Sequence, residues 1–243
     1  MDSKPLKELA LECGAHVCGI ADLDLLQELP TIPENLLDGY TRAVSIGMAV
    51  PYGAFLTIDR APTRLYMHHY RTVNDILDRI ALKIAAAVES MGGKALAIPA
   101  SEILDHKQLL GNISHKAVAR VAGLGWQGKN LLLINPQYGS RLRLVTVLTD
   151  LNLDPDAPVK NRCGKCSKCA DACPAGAIKN VTFADHPRSR DEALYFERCV
   201  NKLTRDFAEE LGLGKPVCGV CIKVCPWSRP RRKSSGGNGE FGK

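Results

Sequence analysis

The chain has 243 residues, of which 45% are hydrophobic and 24% charged, and its formal net charge is +6. This length suits one hydrophobic core with a small second module, and the composition excludes disordered and collagen-like classes. No stretch approaches the roughly 18 consecutive apolar residues that span a bilayer, and residues 1–22 lack the apolar core of a secretory signal. We therefore expect a cytoplasmic protein with no membrane partner.

Up to about residue 150, the spacing of apolar side chains alternates between helical and strand patterns. The predicted helices cover 4–13, 72–91 and 114–122, and the predicted strands cover 15–21, 43–50, 94–98, 131–134 and 142–149. Gly92-Gly93 ends the longest helix and Gly123 ends the third, because glycine readily takes the backbone conformation that stops a helix. The pattern predicts an α/β domain over 1–152 in a chain of the α+β class.

The character of the sequence changes after Thr149, where turn-forming residues at 154–158 precede a cysteine-rich stretch. We predict a second domain over 153–230. Residues 231–243 are basic and rich in glycine and serine, which predicts a solvated tail without fixed structure. Since no basic stripe is interleaved with aromatic residues, a nucleic-acid partner is not expected.

Ten cysteines in a reducing compartment point to metal ligation rather than to a disulfide framework. The first run is CxxCxxCxxxCP, the full spacing of bacterial ferredoxins, and a shorter run with proline follows it. The first run holds Cys163, Cys166, Cys169 and Cys173, and the second holds Cys218, Cys221 and Cys225. Cys199, which lies between the runs, completes a set of eight. Eight thiolates are the number required by two [4Fe-4S] clusters.

In ferredoxins of this type the fourth cysteine of a run binds the other cluster. That rule assigns cluster one to Cys163, Cys166, Cys169 and Cys225, and cluster two to Cys173, Cys199, Cys218 and Cys221. Zinc is the alternative, because paired CxxC motifs also bind zinc, although zinc does not require the full run. Cys13 and Cys18 lie outside the module, and we interpret both as inert buried thiols.

Two segments of the sequence resemble the epoxyqueuosine reductase family. One is AGLGWQGKNLLLINPQYGS at 122–140. The other is CGKCSKCADACPAGAI at 163–178, taken with RCV at 198–200 and CGVCIKVCPW at 218–227. Reductive dehalogenases share the same plan more distantly. The chain is shorter than those reductases, which carry a further C-terminal helical-repeat domain.

The resemblance implies a flavin-reductase-like or cobalamin-chaperone-like N-terminal domain followed by a two-cluster ferredoxin-like domain. It further implies that the clusters pass single electrons to a cobalamin. One face of that cofactor would lie near Gly125, Trp126, Gln127, Gly128, Lys129 and Asn130. FMN, or no cofactor, is the alternative. Taken without the resemblance, Gly-Leu-Gly-Trp is a helix stop followed by a core tryptophan.

The sequence departs from the family at its proton donor. The reductases carry an aspartate general acid upstream of the AGLGW segment, and the gapless equivalent here is Leu109, which cannot donate a proton. A Tyr-Ala-Arg-Gly-like stretch of the family is also replaced by residues 66–70. The replacement donors considered are Asp105, His106, His115 and the His68/His69 pair, because carboxyl and imidazole groups can serve as general acids.

These features predict an iron–sulfur protein that passes electrons to a cofactor for reduction of an unknown substrate, different from that of the reductases it resembles. The alternative is an electron-transfer or corrinoid-reactivating protein without a substrate of its own. An external donor such as ferredoxin or flavodoxin is the expected partner, and a corrinoid protein is a second one.

Overall fold

The structure is a computed structural model that describes residues 1–230, and a four-stranded antiparallel sheet forms its centre. The strands are β1 (Val17–Asp22), β2 (Arg42–Ala49), β3 (Ala95–Ile98), β4 (Trp126–Gln127), β5 (Leu133–Ile134) and β6 (Leu142–Thr149). The order in the sheet is β1-β2-β6-β3, while β4 and β5 pair as a separate antiparallel hairpin. The tail predicted at 231–243 lies outside the described residues.

The described chain has eight α-helices, of which four precede the cysteine-rich part and four lie within it. They are α1 (Lys4–Glu12), α2 (Tyr52–Leu56), α3 (Arg64–Ser90), α4 (His115–Val121), α5 (Lys168–Asp171), α6 (Arg190–Ala193), α7 (Phe196–Asn201) and α8 (Val220–Lys223). The 3-10 turns are Leu23–Leu26 and Pro226–Ser228, and a π-helical segment, Lys202–Glu210, continues α7. None of the helices within 1–230 is long and apolar enough to cross a membrane.

The side chains of a strand alternate in direction, and in this sheet both sets are buried, one on each face. On β6, Val145 and Val147 join the core under α1 and α3, whereas Leu144 and Leu148 join the core under α4. This arrangement confirms the predicted α+β class. It also leaves the α3 face open to contact from the cysteine-rich part, whose Phe207 and Val220 enter the same core.

Most predicted elements are confirmed within about two residues at each end. One helix is much longer than predicted, and one strand has half of its predicted length. The helix predicted from residue 72 begins at Arg64, because the Thr63 side chain accepts a hydrogen bond from the Tyr66 amide at 3.1 Å and caps an extra two turns. The strand predicted from residue 131 begins at Leu133, because Leu131 has a positive φ of 59°.

The cysteine-rich part is fixed to the sheet domain at its C-terminal end. Arg141 donates from Nε to the Ser228 carbonyl and from Nη1 to the Val50 carbonyl, each at 2.8 Å. The Ser140 amide donates to Ser228 Oγ at 3.2 Å. These buried bonds hold the residues that follow Cys225 against the β5–β6 turn.

Candidate functional site

The ferredoxin rule divides the eight cysteines of the second module into two sets of four, which we call group one and group two. In group one, burial first and then Cys163, Cys225 and Cys166 raise the pKa of Cys169 to about 11. Because charged groups shift one another's pKa mainly at short range, the other three thiols lie near Cys169. The grouping brings Cys225 to the first run, which is distant from it in sequence.

Group two contains Cys173, Cys199, Cys218 and Cys221. Burial raises the pKa of Cys218 to about 11, with Cys199 and Cys173 adding to the rise and a hydrogen bond from the Val220 amide opposing it. The pKa of Cys221 lies well above the usual value, through burial and then through Cys218 and Cys169. Since Cys169 belongs to group one, the two groups are neighbours.

Within residues 1–230, no three His, Cys, Asp or Glu side chains are placed to hold a single metal ion. The donor set of each group is four thiols, which are soft ligands suited to iron–sulfur clusters and zinc. Burial and mutual repulsion disfavour four bare thiolates in either group, so each group fits a positively charged metal centre.

The segment Gly125–Asn130, which the resemblance placed beside a corrinoid, lies against group one. The Asn161 side chain donates to the Gln127 carbonyl at 3.1 Å and accepts from the Cys163 amide at 2.9 Å. Lys129 Nζ donates to the Cys166 carbonyl at 2.9 Å. Both contacts attach the segment to the loop that carries the first cysteines.

Trp126 is a core residue of this interface, with 1% of its surface exposed. Its ring packs with Cys225 and Cys163, and its centroid lies 5.0 Å from that of Trp227 in an edge-to-face arrangement. The ring is therefore covered by protein. Trp126 therefore contacts both Ile134 of β5 and the cysteines of group one.

Group two lies against the first turns of α3. Gly219, between two of its cysteines, has a φ of 85°, and a Cβ there would lie 3.1 Å from the Tyr66 ring. On another side, Lys116 is close enough to lower the pKa of Cys199, which burial and Cys173 raise on balance. Aromatic and cationic side chains of the sheet domain thus border this group.

A polar cluster that the sequence did not reveal lies next to group two, around Tyr70 of α3. The Tyr70 hydroxyl is 2.9 Å from Ser101 Oγ and accepts from Arg143 Nη2 at 3.0 Å. Arg143 Cζ lies 4.2 Å from the centre of the Tyr70 ring, and Arg143 Nε donates to Asn74 at 2.9 Å. Burial raises the pKa of Tyr70, but Arg143 and the hydrogen bonds outweigh burial, so the pKa lies below the usual 10.

This cluster lines one of two cavities on either side of the segment 99–108. The cavity at Tyr70 has a volume of about 290 Å³ and includes Ser101 and Lys215 in its lining. The other cavity, of about 360 Å³, lies between Lys107 and the helix α7 that carries Cys199. Both are near the lower end of the range of roughly 300–1,000 Å³ typical of small-molecule sites. A corrinoid does not fit either cavity as shaped.

The proposed proton donors in the loop 101–112 have different surroundings. Asp105 accepts hydrogen bonds from the Lys107 and Gln108 amides at 2.8 and 2.9 Å, so it stabilises a turn. His106 is exposed to solvent. Leu109, at the position of the family's aspartate, has a φ of 49°. Asp105 is therefore engaged in the loop itself, and His106 is open to solvent.

His115 has both ring nitrogens engaged. Nε2 lies 2.9 Å from the Pro99 carbonyl, which can only accept, so Nε2 carries the proton and Nδ1 accepts from the Thr146 hydroxyl at 2.8 Å. Burial lowers the pKa of His115 to about 4. The imidazole is thus neutral and holds β6 to the end of β3.

The remaining candidates lie apart from this region or are buried. His68 and His69 stack edge to face with centroids 5.9 Å apart, and His68 is exposed on α3. Cys13 and Cys18 pack against the core under α1 and α3. Burial raises the pKa of Cys18 to about 12, which keeps it as a thiol.

Comparison with known proteins gives matches over the second module and over the whole chain. Residues 162–228 match the 4Fe-4S double cluster binding domain. The epoxyqueuosine reductase of Vibrio cholerae is 27% identical over 265 residues, which cover 92% of this chain and 66% of that enzyme.

Two solved structures extend the similarity to the fold. An epoxyqueuosine reductase bound to an epoxyqueuosine-modified tRNA-Tyr stem loop has a TM-score of 0.62 and 25% identity, and the match covers 93% of this chain and 64% of that one. A reductive dehalogenase, whose structure was solved to explain B12-dependent dehalogenation, has a TM-score of 0.64 and 21% identity. The match covers 92% of this chain and 31% of that one. The second likeness concerns the fold alone.

The chain spans just under two thirds of the Vibrio enzyme and of the tRNA-bound reductase. The comparisons do not support the expectation that its substrate differs from theirs, because the matching relatives are named epoxyqueuosine reductases. Residues 162–228 match a 4Fe-4S double cluster binding domain, and the chain as a whole is similar to epoxyqueuosine reductases.

Proposed function

We propose that this protein is a reductase in which two [4Fe-4S] clusters deliver single electrons to an acceptor beside Tyr70. The observation that supports this most is the grouping of the eight cysteines into two adjacent sets of four. Each set would hold one cluster, as the first run and its proline predict. Bound clusters would supply one-electron transfer, and the adjacency of Cys169 and Cys221 would keep that transfer short.

Group two is the proposed delivery end of the path. It borders α3 through Tyr66, whose ring centroid lies 6.4 Å from that of Tyr70. Tyr70 lines the 290 Å³ cavity with a hydroxyl held by Arg143, which favours loss of its proton to an acceptor. We therefore propose Tyr70 as the proton donor, in place of the leucine that stands at the family's aspartate.

Cobalamin is the proposed electron acceptor, supported by the similarity to a B12-dependent dehalogenase. Because neither cavity accommodates a corrinoid as shaped, its binding would require the residues that line them to move. Epoxyqueuosine in tRNA is the proposed substrate, supported by the reductase solved with such a stem loop. That relative makes nucleic acid a plausible partner, contrary to the expectation from charge alone.

The second candidate is an electron-transfer protein without a substrate of its own. The small cavities favour it, since neither holds even a corrinoid as shaped. An external donor such as a ferredoxin or flavodoxin is part of both proposals.

The test is anaerobic purification followed by three measurements. Iron and sulfide assays should find about eight of each per chain, and added cobalamin should change its absorbance spectrum on binding. Dithionite-reduced, cobalamin-loaded protein should convert an epoxyqueuosine-modified stem loop. A colourless zinc protein would overturn the whole proposal. Clusters with cobalamin binding but no conversion would favour the second candidate.

A further inference from the structure

Lys129 is a buried lysine whose charge is not balanced by any described carboxylate. Only 3% of its surface is exposed. Its Nζ donates to the Cys166 carbonyl at 2.9 Å and to Asn180 Oδ1 at 3.0 Å, both neutral acceptors. Within residues 1–230 no Asp or Glu lies within ion-pair distance of it. A buried ammonium among neutral groups is strongly unfavourable without a counter-charge.

Trp126 shows a second unmet requirement at the same place. Its Nε1 is buried and has no acceptor in the part of the chain that the structure describes. Buried N–H groups are rarely left unpaired in native proteins. The ring packs with Cys163 and Cys225, so the donor lies in the wall around group one.

One bound group would satisfy both the charge of Lys129 and the indole N–H of Trp126. A [4Fe-4S] cluster held by four thiolates is an anion whose sulfur atoms accept hydrogen bonds. We propose that Lys129 and Trp126 raise the reduction potential of the cluster in group one, by placing a buried positive charge and an indole N–H beside it. This inference rests on the proposed function, since it requires the cluster to be bound.

The direction of the effect follows from the charge that the cluster gains. Reduction adds one electron to the cluster, with no bond made or broken, so the reduced form is more negative by one unit. A nearby cation and an N–H donor stabilise that form more than the oxidised form. The cysteines that Lys129 and Trp126 contact, which are Cys166, Cys163 and Cys225, all belong to group one. The segment Gly125–Asn130 therefore acts on one cluster selectively.

The experiment is a dithionite titration of the reconstituted full chain, followed by electron paramagnetic resonance to give both one-electron couples. Lys129→Met should lower the equilibrium constant for reducing one cluster about tenfold, equal to about 59 mV for a one-electron couple. Lys129→Gln, which keeps a hydrogen-bond donor, should give the same loss. Trp126→Phe should lower the equilibrium constant for reducing the same cluster by about threefold.

Two controls identify the cluster and the cause. Lys116→Met removes a lysine beside Cys199 and should shift the other couple. Lys165→Met removes an exposed charge between Cys163 and Cys166, and screening should keep its effect below about twofold.

The outcomes separate this inference from the proposed function. Wild-type protein without iron would overturn both. Full iron content with couples unchanged in Lys129→Met and Lys129→Gln, or with both couples shifted equally, would overturn the inference alone. Loss of iron in Lys129→Met with an unchanged couple in Lys129→Gln would assign Lys129 a structural role and overturn it as well.

Discussion

The two cysteine groups are similar in composition but differ in their surroundings. Group one packs against Trp126 and Trp227, and the buried Lys129 donates to its loop. Group two instead borders Tyr66 of α3 and the helix α7, which lines a cavity. We propose that this difference divides electron transfer between the groups, so that group one relays electrons and group two delivers them. Each variant below acts on one side of that division.

The largest expected effect concerns membership of the groups. Cys225→Ser should reduce the iron content from about eight to about four per chain, because one cluster loses a ligand. Combining it with Cys163→Ser should remove no more iron, whereas combining it with Cys218→Ser should remove nearly all. The reverse pattern in the two double variants would place Cys225 in group two.

The next effect concerns delivery. Tyr70→Phe should slow conversion of the epoxyqueuosine-modified stem loop by about 10²–10⁴-fold, the usual contribution of a general acid, with iron content unchanged. The wild-type rate should fall as pH rises through the pKa of Tyr70, which lies below 10, because only the protonated phenol can donate.

Tyr40→Phe is the matched control, since Tyr40 packs against the core on the α4 face. It should leave the rate and the pH profile unchanged. An unchanged pH profile in Tyr70→Phe would remove Tyr70 from the mechanism.

A third pair of variants compares how tightly each group is held. Gly139 has a φ of 60°, and a Cβ there would lie 2.4 Å from the Ser228 amide nitrogen, which is backbone and cannot move aside. Gly139→Ala should lower the free energy of unfolding by about 3 kcal/mol. Gly219→Ala should lower the free energy of unfolding by about 2 kcal/mol. The loss is smaller because the nearest atom to a Cβ there is Cδ1 at the end of the Ile58 side chain, which can shift.

Chemical denaturation of the anaerobic, cluster-loaded protein measures both values. Gly53→Ala is the control, because no atom lies within 4 Å of a Cβ at this helical position. It should be neutral or stabilising by up to about 1 kcal/mol. Equal changes in the free energy of unfolding for all three variants would show that a Cβ at Gly139 or Gly219 meets no steric clash.

The smallest effect concerns pH and His115, which links Thr146 of β6 to Pro99 after β3. Burial lowers its pKa to about 4 in the folded protein from the usual 6.5, so at intermediate pH the unfolded chain binds a proton that the folded chain does not. The free energy of unfolding should therefore fall by about 2 kcal/mol as pH is lowered from 8 to 5. His115→Asn should remove this part of the pH dependence in urea titrations between pH 8 and 5. Identical slopes in the two proteins would contradict the buried neutral imidazole.

Periodicity was sufficient for the sheet and its helices because each element carries a regular apolar face. It failed at the start of α3, where histidines and tyrosines replace the apolar residues and the cap at Thr63 supplies the signal. The double-cluster domain was predictable because cysteine spacing itself encodes ligand geometry. The pairing of Tyr70 with Arg143 was not, since it depends on α3 packing across β6. A lone arginine in an otherwise apolar strand was the one available sign.

The crossing of the two groups also orders events during synthesis. Cys163, Cys166 and Cys169 leave the ribosome well before Cys225, so group one stays incomplete until the second run has emerged. Group two is complete four residues sooner, at Cys221. By then the sheet and α3 have long been available as a scaffold, while Val217 and Val220 still have to enter its core. Loading of iron and closure of that core would therefore fall within the same late interval of the chain's production.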